Sequence, residues 1–217
     1  MLFLDSSDPK EVADIHAWGV TSGVTTNPLL FARESGDVDL EARIREILAV
    51  SRGPLSVELT HETEAAMLEE AARYRAWDDR IVIKVPFTEP GLRVIHQLAA
   101  RGVATNATCL MSFPQAYLAA LAGATYVSIF SGRVRDMGYD VRPVIADTRD
   151  QIDREHLATE IIVGSVRQPA DVTEALSAGA HIVTVPPKLL RAMLFNPRTT
   201  ETIREFNDAW AARGKKK

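Results

Sequence analysis

Short apolar, β-branched runs recur along the chain at residues 2–5, 22–27, 55–59, 81–85, 104–109, 125–130, 159–165 and 181–186, and each predicts a strand. Between them the apolar positions change to a helical period. Glu62–Trp77 carries Ala65, Met67, Leu68, Ala71 and Ala72 on one stripe, and Gly91–Arg101 carries Leu92, Ile95, Leu98 and Ala99. Successive strands start between 20 and 34 residues apart, which leaves room each time for one helix and two short loops. Asp8-Pro9 and Ser112-Phe113-Pro114 have the form of helix starts, with a capping side chain beside a first-turn proline.

Eight strand-helix alternations fit either an open, doubly wound sheet or a closed barrel. The open sheet usually places a glycine-rich phosphate loop after its first strand, whereas here that strand runs into Asp5-Ser6-Ser7-Asp8. The expected fold is therefore α/β, a single-domain (β/α)8 TIM barrel over residues 1–197 with an additional C-terminal helix and basic tail over 198–217. Ile203, Phe206 and Trp210 form one stripe on that helix. Docking on its own barrel is the default expectation, and packing on a neighbouring subunit is the alternative. The ending Arg213-Gly-Lys-Lys-Lys217 reads as a solvated basic terminus.

With 217 residues, 46% of them hydrophobic, the chain can build one substantial core. Its formal net charge of -4 argues against a nucleic-acid or anionic-membrane binder, either of which needs a basic face. Small-molecule partners are expected instead. The single Cys109 excludes an internal disulfide, and no Cys/His spacing matches a zinc site. The five histidines, at 16, 61, 96, 156 and 181, form no ligand pair with helical spacing, so no metal is expected. The start Met-Leu-Phe-Leu-Asp carries no basic-then-apolar leader pattern and no apolar run is long enough to span a bilayer, which predicts a cytoplasmic protein.

In a barrel of this type the active site lies at the carboxyl ends of the strands. Those ends are polar: Asp5, then Thr25 to Asn27, Glu58, Lys84, Asn106 with Thr108, Ser128, and Ser165. Strands buried on both faces otherwise read as nearly continuous Val, Ile and Leu. Lys84, alternating with Ile81, Ile83 and Val85, is the most distinctive. Burial disfavours an ammonium ion, and the free amine is the form that attacks a ketone. The competing reading is a structural ion pair with Glu58. Glu58 has the matching two readings, proton carrier or counter-ion, and Asp5 is either a base at a substrate hydroxyl or a turn residue. Gly164-Ser165-Val166-Arg167 precedes a helix near Gln168-Pro169, whose free N–H groups would suit a phosphate, with Arg167 and Arg133 adding charge. Trp18, Trp77 and Trp210 fall in helical segments and read as packing residues.

Taken together, Gly23-Val24-Thr25-Thr26-Asn27-Pro28, Ile83-Lys84-Val85-Pro86, Thr105-Asn106-Ala107-Thr108 with Ser112, Gly132-Arg133 and Gly164-Ser165-Val166-Arg167 resemble, in the same order, the motifs of the transaldolase family. The resemblance runs from about Leu4 to Pro187. It implies that Lys84 forms an imine with a ketose phosphate, that Asp5 is the acid/base at a substrate hydroxyl, and that Glu58 and Thr108 share a water as a proton relay. It further implies that Asn27, Asn106 and Ser128 hold substrate hydroxyls and that Arg133, Ser165 and Arg167 bind the phosphate. A dihydroxyacetone unit would pass from fructose 6-phosphate or sedoheptulose 7-phosphate to an aldose phosphate, in pentose phosphate chemistry and with no external cofactor.

By length the chain is most similar to the small transaldolases, which include fructose-6-phosphate aldolases and tend to form rings through C-terminal helices, so a homo-oligomer, pentamer or decamer, is implied. The aldolases carry Gln and Tyr where Glu58 and Phe130 stand here, and transaldolases carry Glu and Phe. Departures occur at Leu29-Leu30, Pro90, Met111 and Arg135, the last replacing a common acidic residue, and they leave room for a specialised biosynthetic role. The alternatives are an aldolase releasing free dihydroxyacetone and a non-catalytic phosphosugar-binding barrel.

Overall fold

A computed structural model describes residues 1–33 and 39–213. Its strands are β1 (Leu2–Asp5), β2 (Val24–Thr25), β3 (Leu55–Glu58), β4 (Ile81–Pro86), β5 (Thr105–Leu110), β6 (Tyr126–Phe130), β7 (Glu160–Gly164) and β8 (Ile182–Val185). All pair in parallel in chain order, and β8 returns to β1, so the sheet closes into a (β/α)8 TIM barrel. Around it run α1 (Pro9–His16), α2 (Pro28–Phe31), α3 (Leu40–Val50), α4 (Glu64–Arg75), α5 (Glu89–Ala100), α6 (Phe113–Leu121), α7 (Ser131–Asp136), α8 (Val141–Arg154), α9 (Pro169–Ser177) and α10 (Pro187–Met193). A last helix, α11 (Pro197–Arg213), follows the eight units.

Alternation divides the strand residues between two environments. In β4, Ile81, Ile83 and Val85 are fully buried in the large apolar cluster shared with the helices. Lys84 falls on the opposite face, inside the barrel. Phe3, Ile162 and Ile182 form a separate small cluster, alternating with Leu4, Ile161, Val163 and Val183 of the large one, and so plug the interior. The barrel is a packed core whose open space lies at one end.

Several helix starts follow capping side chains, although Ser112, expected to cap α6 ahead of Pro114, makes no side-chain cap hydrogen bond. Asp8 accepts from Lys10 N at 2.8 Å ahead of Pro9, and Thr88 accepts from Gly91 N at 3.0 Å ahead of Pro90. That cap starts α5 at Glu89, two residues before the start expected from the apolar period. The second strand is much shorter than residues 22–27, because Pro28 has no N–H to continue a ladder and Asn27 turns to cap α2, accepting from Leu30 N.

Two short helices, α2 and α7, interrupt the loops after β2 and β6, where no apolar period announces them. The default docking of the last helix on its own barrel is corrected: no residue of α11 is buried, and Ile203, Phe206 and Trp210 are 55%, 69% and 71% exposed. The chain leaves α10 through exposed Leu194 and Phe195, which carries α11 off the barrel surface. Residues 214–217 of the expected basic tail lie outside the described residues.

Candidate active site

The register of β3 against β4 places Glu58 beside Lys84. Lys84 is 4% exposed, and its Nζ lies 2.8 Å from Glu58 Oε2. The same nitrogen donates to the Thr26 carbonyl at 3.1 Å and stands 5.9 Å from the centre of the Phe130 ring. A buried charge pair costs desolvation that its mutual attraction barely repays, so such a pair is weak evidence of a stabilising role. Here both partners line a cavity, and the Glu58 side chain is the more exposed of the two.

Asp5 ends β1 on an adjoining wall. Thr25 Oγ1 donates to its Oδ1 at 2.9 Å and lies 2.6 Å from Thr184 Oγ1, so three strand ends share one hydrogen-bonded row. Burial pushes the Asp5 carboxyl above the usual aspartate range, outweighing the attraction of Lys84 and the Thr25 hydrogen bond. A carboxyl shifted this way inside a cleft is poised to exchange a proton.

Asn106 on β5 is fully buried, donating to Ser56 Oγ at 3.1 Å and accepting from Ser128 Oγ at 2.7 Å. Beyond it the β5–β6 register slips between Ala107 and Leu110. That bulge puts Cys109 at φ +63° and leaves the buried Thr108 Oγ1 with nothing stronger than the neighbouring Cys109 thiol as a partner among the described residues. Ser165, after β7, is held at φ +59°. Both strained residues line the cavity, in keeping with the clustering of such backbone at functional sites.

The cavity has a volume of about 460 Å³. Asp5, Glu58 and Lys84 form one part of its lining, and Thr25, Asn27, Ser128, Phe130, Arg133 and Ser165 are the other residues expected from sequence that reach it. Asn106 and Thr108 lie outside the lining. Asn27 spends its Oδ1 on the α2 cap, and its side-chain amide donor remains for a ligand.

The expected phosphate corner is altered. Arg133, on α7, is exposed and lines the cavity. Arg167 does not: its guanidinium forks onto both carboxylate oxygens of Asp136, on the last turn of α7. The helix start that was to offer free N–H groups is also occupied, since Arg167 N and Gln168 N donate to Asp171 Oδ2 at 2.7 and 3.2 Å. An acid three residues into the helix saturates these amides before any anion reaches them.

Eight lining residues stand outside the expected set, and four of them, Thr184, Arg33, Cys109 and Met111, are instructive. Thr184 is a polar residue in the apolar run Ile182-Val183-Thr184-Val185, so the rule that singled out Lys84 would have found it. Arg33, Cys109 and Met111 reach the cavity through the α2 turn and the β5 bulge, neither of which has a periodic signature. No group of three or more His, Cys, Asp or Glu side chains able to hold a metal ion occurs among the described residues.

A family model described as Transaldolase/Fructose-6-phosphate aldolase matches residues 2–216. A probable transaldolase of Symbiobacterium thermophilum is 43% identical over 215 residues, 99% of each chain. Probable transaldolases of Desulforudis audaxviator and Streptococcus pyogenes are 43% and 40% identical over 210 residues, 97% of each chain.

Proposed function

Because the chain belongs to the transaldolase/fructose-6-phosphate aldolase family, we propose that it is a transaldolase whose Lys84 carries the transferred dihydroxyacetone unit as a Schiff base. The observation that carries this reading is the lysine itself: 4% exposed, lining the cavity, with a carboxylate 2.8 Å away to take its proton. The neutral amine attacks the ketose C2, and loss of water leaves an imine. Asp5 removes the proton from the C4 hydroxyl, the C3–C4 bond breaks, and the aldose phosphate departs while Lys84 keeps the three-carbon enamine. An acceptor aldehyde then forms the new carbon-carbon bond, Asp5 returns the proton to its oxygen, and water releases the product ketose phosphate.

Glu58 lines the cavity beside Lys84 and is suited to passing protons during imine formation and breakdown, with the weakly held Thr108 hydroxyl behind the lining available to a shared water. Ser128, which lines the cavity with its hydroxyl held by buried Asn106, offers a polar edge for a hydroxyl of the dihydroxyacetone unit, and Asn106 acts from behind it. Arg133 and Ser165 supply the charge and hydroxyl for a phosphate. Transfer to an acceptor, rather than release of free dihydroxyacetone, is favoured by Glu58 and Phe130, the pair resembling transaldolases.

Borohydride reduction with fructose 6-phosphate should add a three-carbon unit to Lys84, read by peptide mass spectrometry, and Lys84→Met should abolish the adduct. With an aldose phosphate present, product ketose should exceed free dihydroxyacetone by at least tenfold. Absence of an adduct with any ketose phosphate sinks the reading, and release of dihydroxyacetone at equal rate without acceptor favours the aldolase.

We also propose that the protein is a homo-oligomer assembled through α11. A 17-residue helix that buries none of its own residues yet presents Phe206 and Trp210 at 69% and 71% exposure leaves apolar surface that a subunit interface would cover. Sedimentation velocity on the full chain should show a pentamer or decamer. A monomer at micromolar concentration contradicts it.

A further inference from the structure

The two cavity residues best suited to hold a phosphate come from different loops. Arg133 rides on α7, a helix of only six residues, and Ser165 sits in the strained turn after β7. Their separation sets the geometry of an anion site, so whatever joins the two loops decides whether the site exists before the ligand arrives.

At the start of α7 the joint is made to two backbone carbonyls. Ser131 Oγ donates to the Gly164 carbonyl at 3.1 Å, and Gly132 N donates to the Ser165 carbonyl at 3.1 Å. Gly132 admits this approach because it has no side chain: a Cβ there would stand 2.3 Å from the Ser165 oxygen. At the far end the joint is ionic. Arg135 donates from Nη1 to Asp171 Oδ1 at 2.6 Å and from Nη2 to Glu174 Oε2 at 2.5 Å, so one guanidinium on Arg133's helix grips two acids of α9.

Asp171 is the hinge of this arrangement. Its side chain is fully buried; one oxygen faces Arg135, and the other holds the N–H groups of Arg167 and Gln168, two and three residues after Ser165. Removal of Arg135 leaves a buried carboxylate without its cation, a change large enough to let the turn relax. None of these groups lines the cavity, so their influence on a ligand passes through Arg133 and Ser165.

We propose that Arg135 and Asp171 are positioning residues that clamp α7 to the β7–α9 turn and thereby preset the spacing of Arg133 and Ser165 for a phosphate or other tetrahedral oxyanion. The role refines the sugar-phosphate reading above and rests on it only for the identity of the substrate. It is specific in its consequence: the clamp governs recognition of the anion and leaves the Lys84 end of the cavity as it is.

The experiment compares wild type with Arg135→Ala and Arg135→Lys on two independent readouts. Calorimetric titration with inorganic phosphate should show affinity about tenfold weaker in Arg135→Ala. Lysine keeps the charge but cannot fork between two acids, and Arg135→Lys should recover part of the loss. Borohydride trapping should show the apparent constant for fructose 6-phosphate raised by about the same tenfold factor, with trapping of unphosphorylated dihydroxyacetone within about twofold of wild type.

Unchanged phosphate affinity in Arg135→Ala overturns the proposal. So does an equal loss for both ketones, the signature of a general structural defect. Should Arg135→Ala fail to fold, Arg135→Lys carries both readouts, and wild-type behaviour there is equally fatal. Phosphate affinity that falls as expected in a protein forming no adduct would leave the clamp standing and remove only the transaldolase reading.

Discussion

Four carboxylates with little or no exposure near the barrel's loops fall into two regions with opposite electrostatics. Asp5 and Glu58 line the cavity, and their partners are few: a threonine hydroxyl for the first, the Lys84 ammonium for the second. Glu70 and Asp171 stand behind the cavity wall and are crowded with donors. Tyr74 Oη, Thr60 N, Thr60 Oγ1 and the His61 ring surround Glu70 between 2.6 and 3.0 Å. Burial acts to raise all such groups. In Asp5 it prevails, whereas in Glu70 the hydrogen bonds from Tyr74, His61 and Thr60 overcome it and bring the carboxyl down to about 2. Asp171 is likewise drawn down, by the Arg167 N–H and by Arg135, against the same desolvation. The contrast separates two uses of a buried acid. Full satisfaction fixes a loop in place, and incomplete satisfaction leaves a proton free to move.

The largest expected effect that would break this comparison is at Asp5. Asp5→Asn should lower kcat by roughly a hundred- to a thousandfold, because it removes the proton acceptor and retains the shape. Stability should move the other way. A carboxyl raised in the folded state binds protons more tightly there than in the unfolded chain, so the ionised form costs stability once pH exceeds the ordinary aspartate value near 3.8. Asparagine has no such cost, and the variant should melt at the wild-type temperature or above it. In wild type the acidic limb of the rate profile should lie above the ordinary aspartate range. A fall of several degrees in Tm, or a rate within threefold of wild type, would place Asp5 with the structural acids instead.

Much of this division can be read in the sequence, and the unread part has a physical explanation. Polar residues in apolar strands identified Asp5, Glu58, Lys84, Asn106 and Ser128, because period-two alternation in a closed barrel leaves few places for them besides its interior and carboxyl end. The barrel itself followed from the same alternation repeated eight times. Partnership was not legible. Arg167 was expected at the phosphate because it follows Ser165, but Asp136, 31 residues earlier, takes its guanidinium. Glu70 gave no signal either: on a helix carrying two other acids, Glu64 and Glu69, its burial depends on the Tyr74 hydroxyl and the loop that folds over it. Pattern reports which face a residue occupies. Distance in space decides who neutralises it.

A smaller effect would sharpen the comparison from the structural side. Glu70 holds Thr60 and His61, two and three residues past Glu58 at the end of β3. Glu70→Gln keeps the size and one acceptor but gives up the charge that the surrounding donors favour. A folded-state value of about 2 against an ordinary 4.5 means that this stabilisation is fully present above pH 4.5 and is lost as pH falls toward 2. The variant should therefore be less stable at pH 7 by on the order of 3 kcal/mol, the full linkage contribution of that displacement. The gap should narrow steadily between pH 5 and pH 2, as protonation removes the same charge from the wild type. Trapping of the dihydroxyacetone unit on Lys84 at neutral pH should change by less than about fivefold, since Glu58 stays paired with Lys84 through the β3–β4 register. Denaturant unfolding at several pH values, with the trapping assay run alongside, separates the two quantities. A stability difference that persists unchanged at pH 2 would show that Glu70 acts through packing, and a loss of trapping as large as that of Asp5→Asn would move it into the catalytic set.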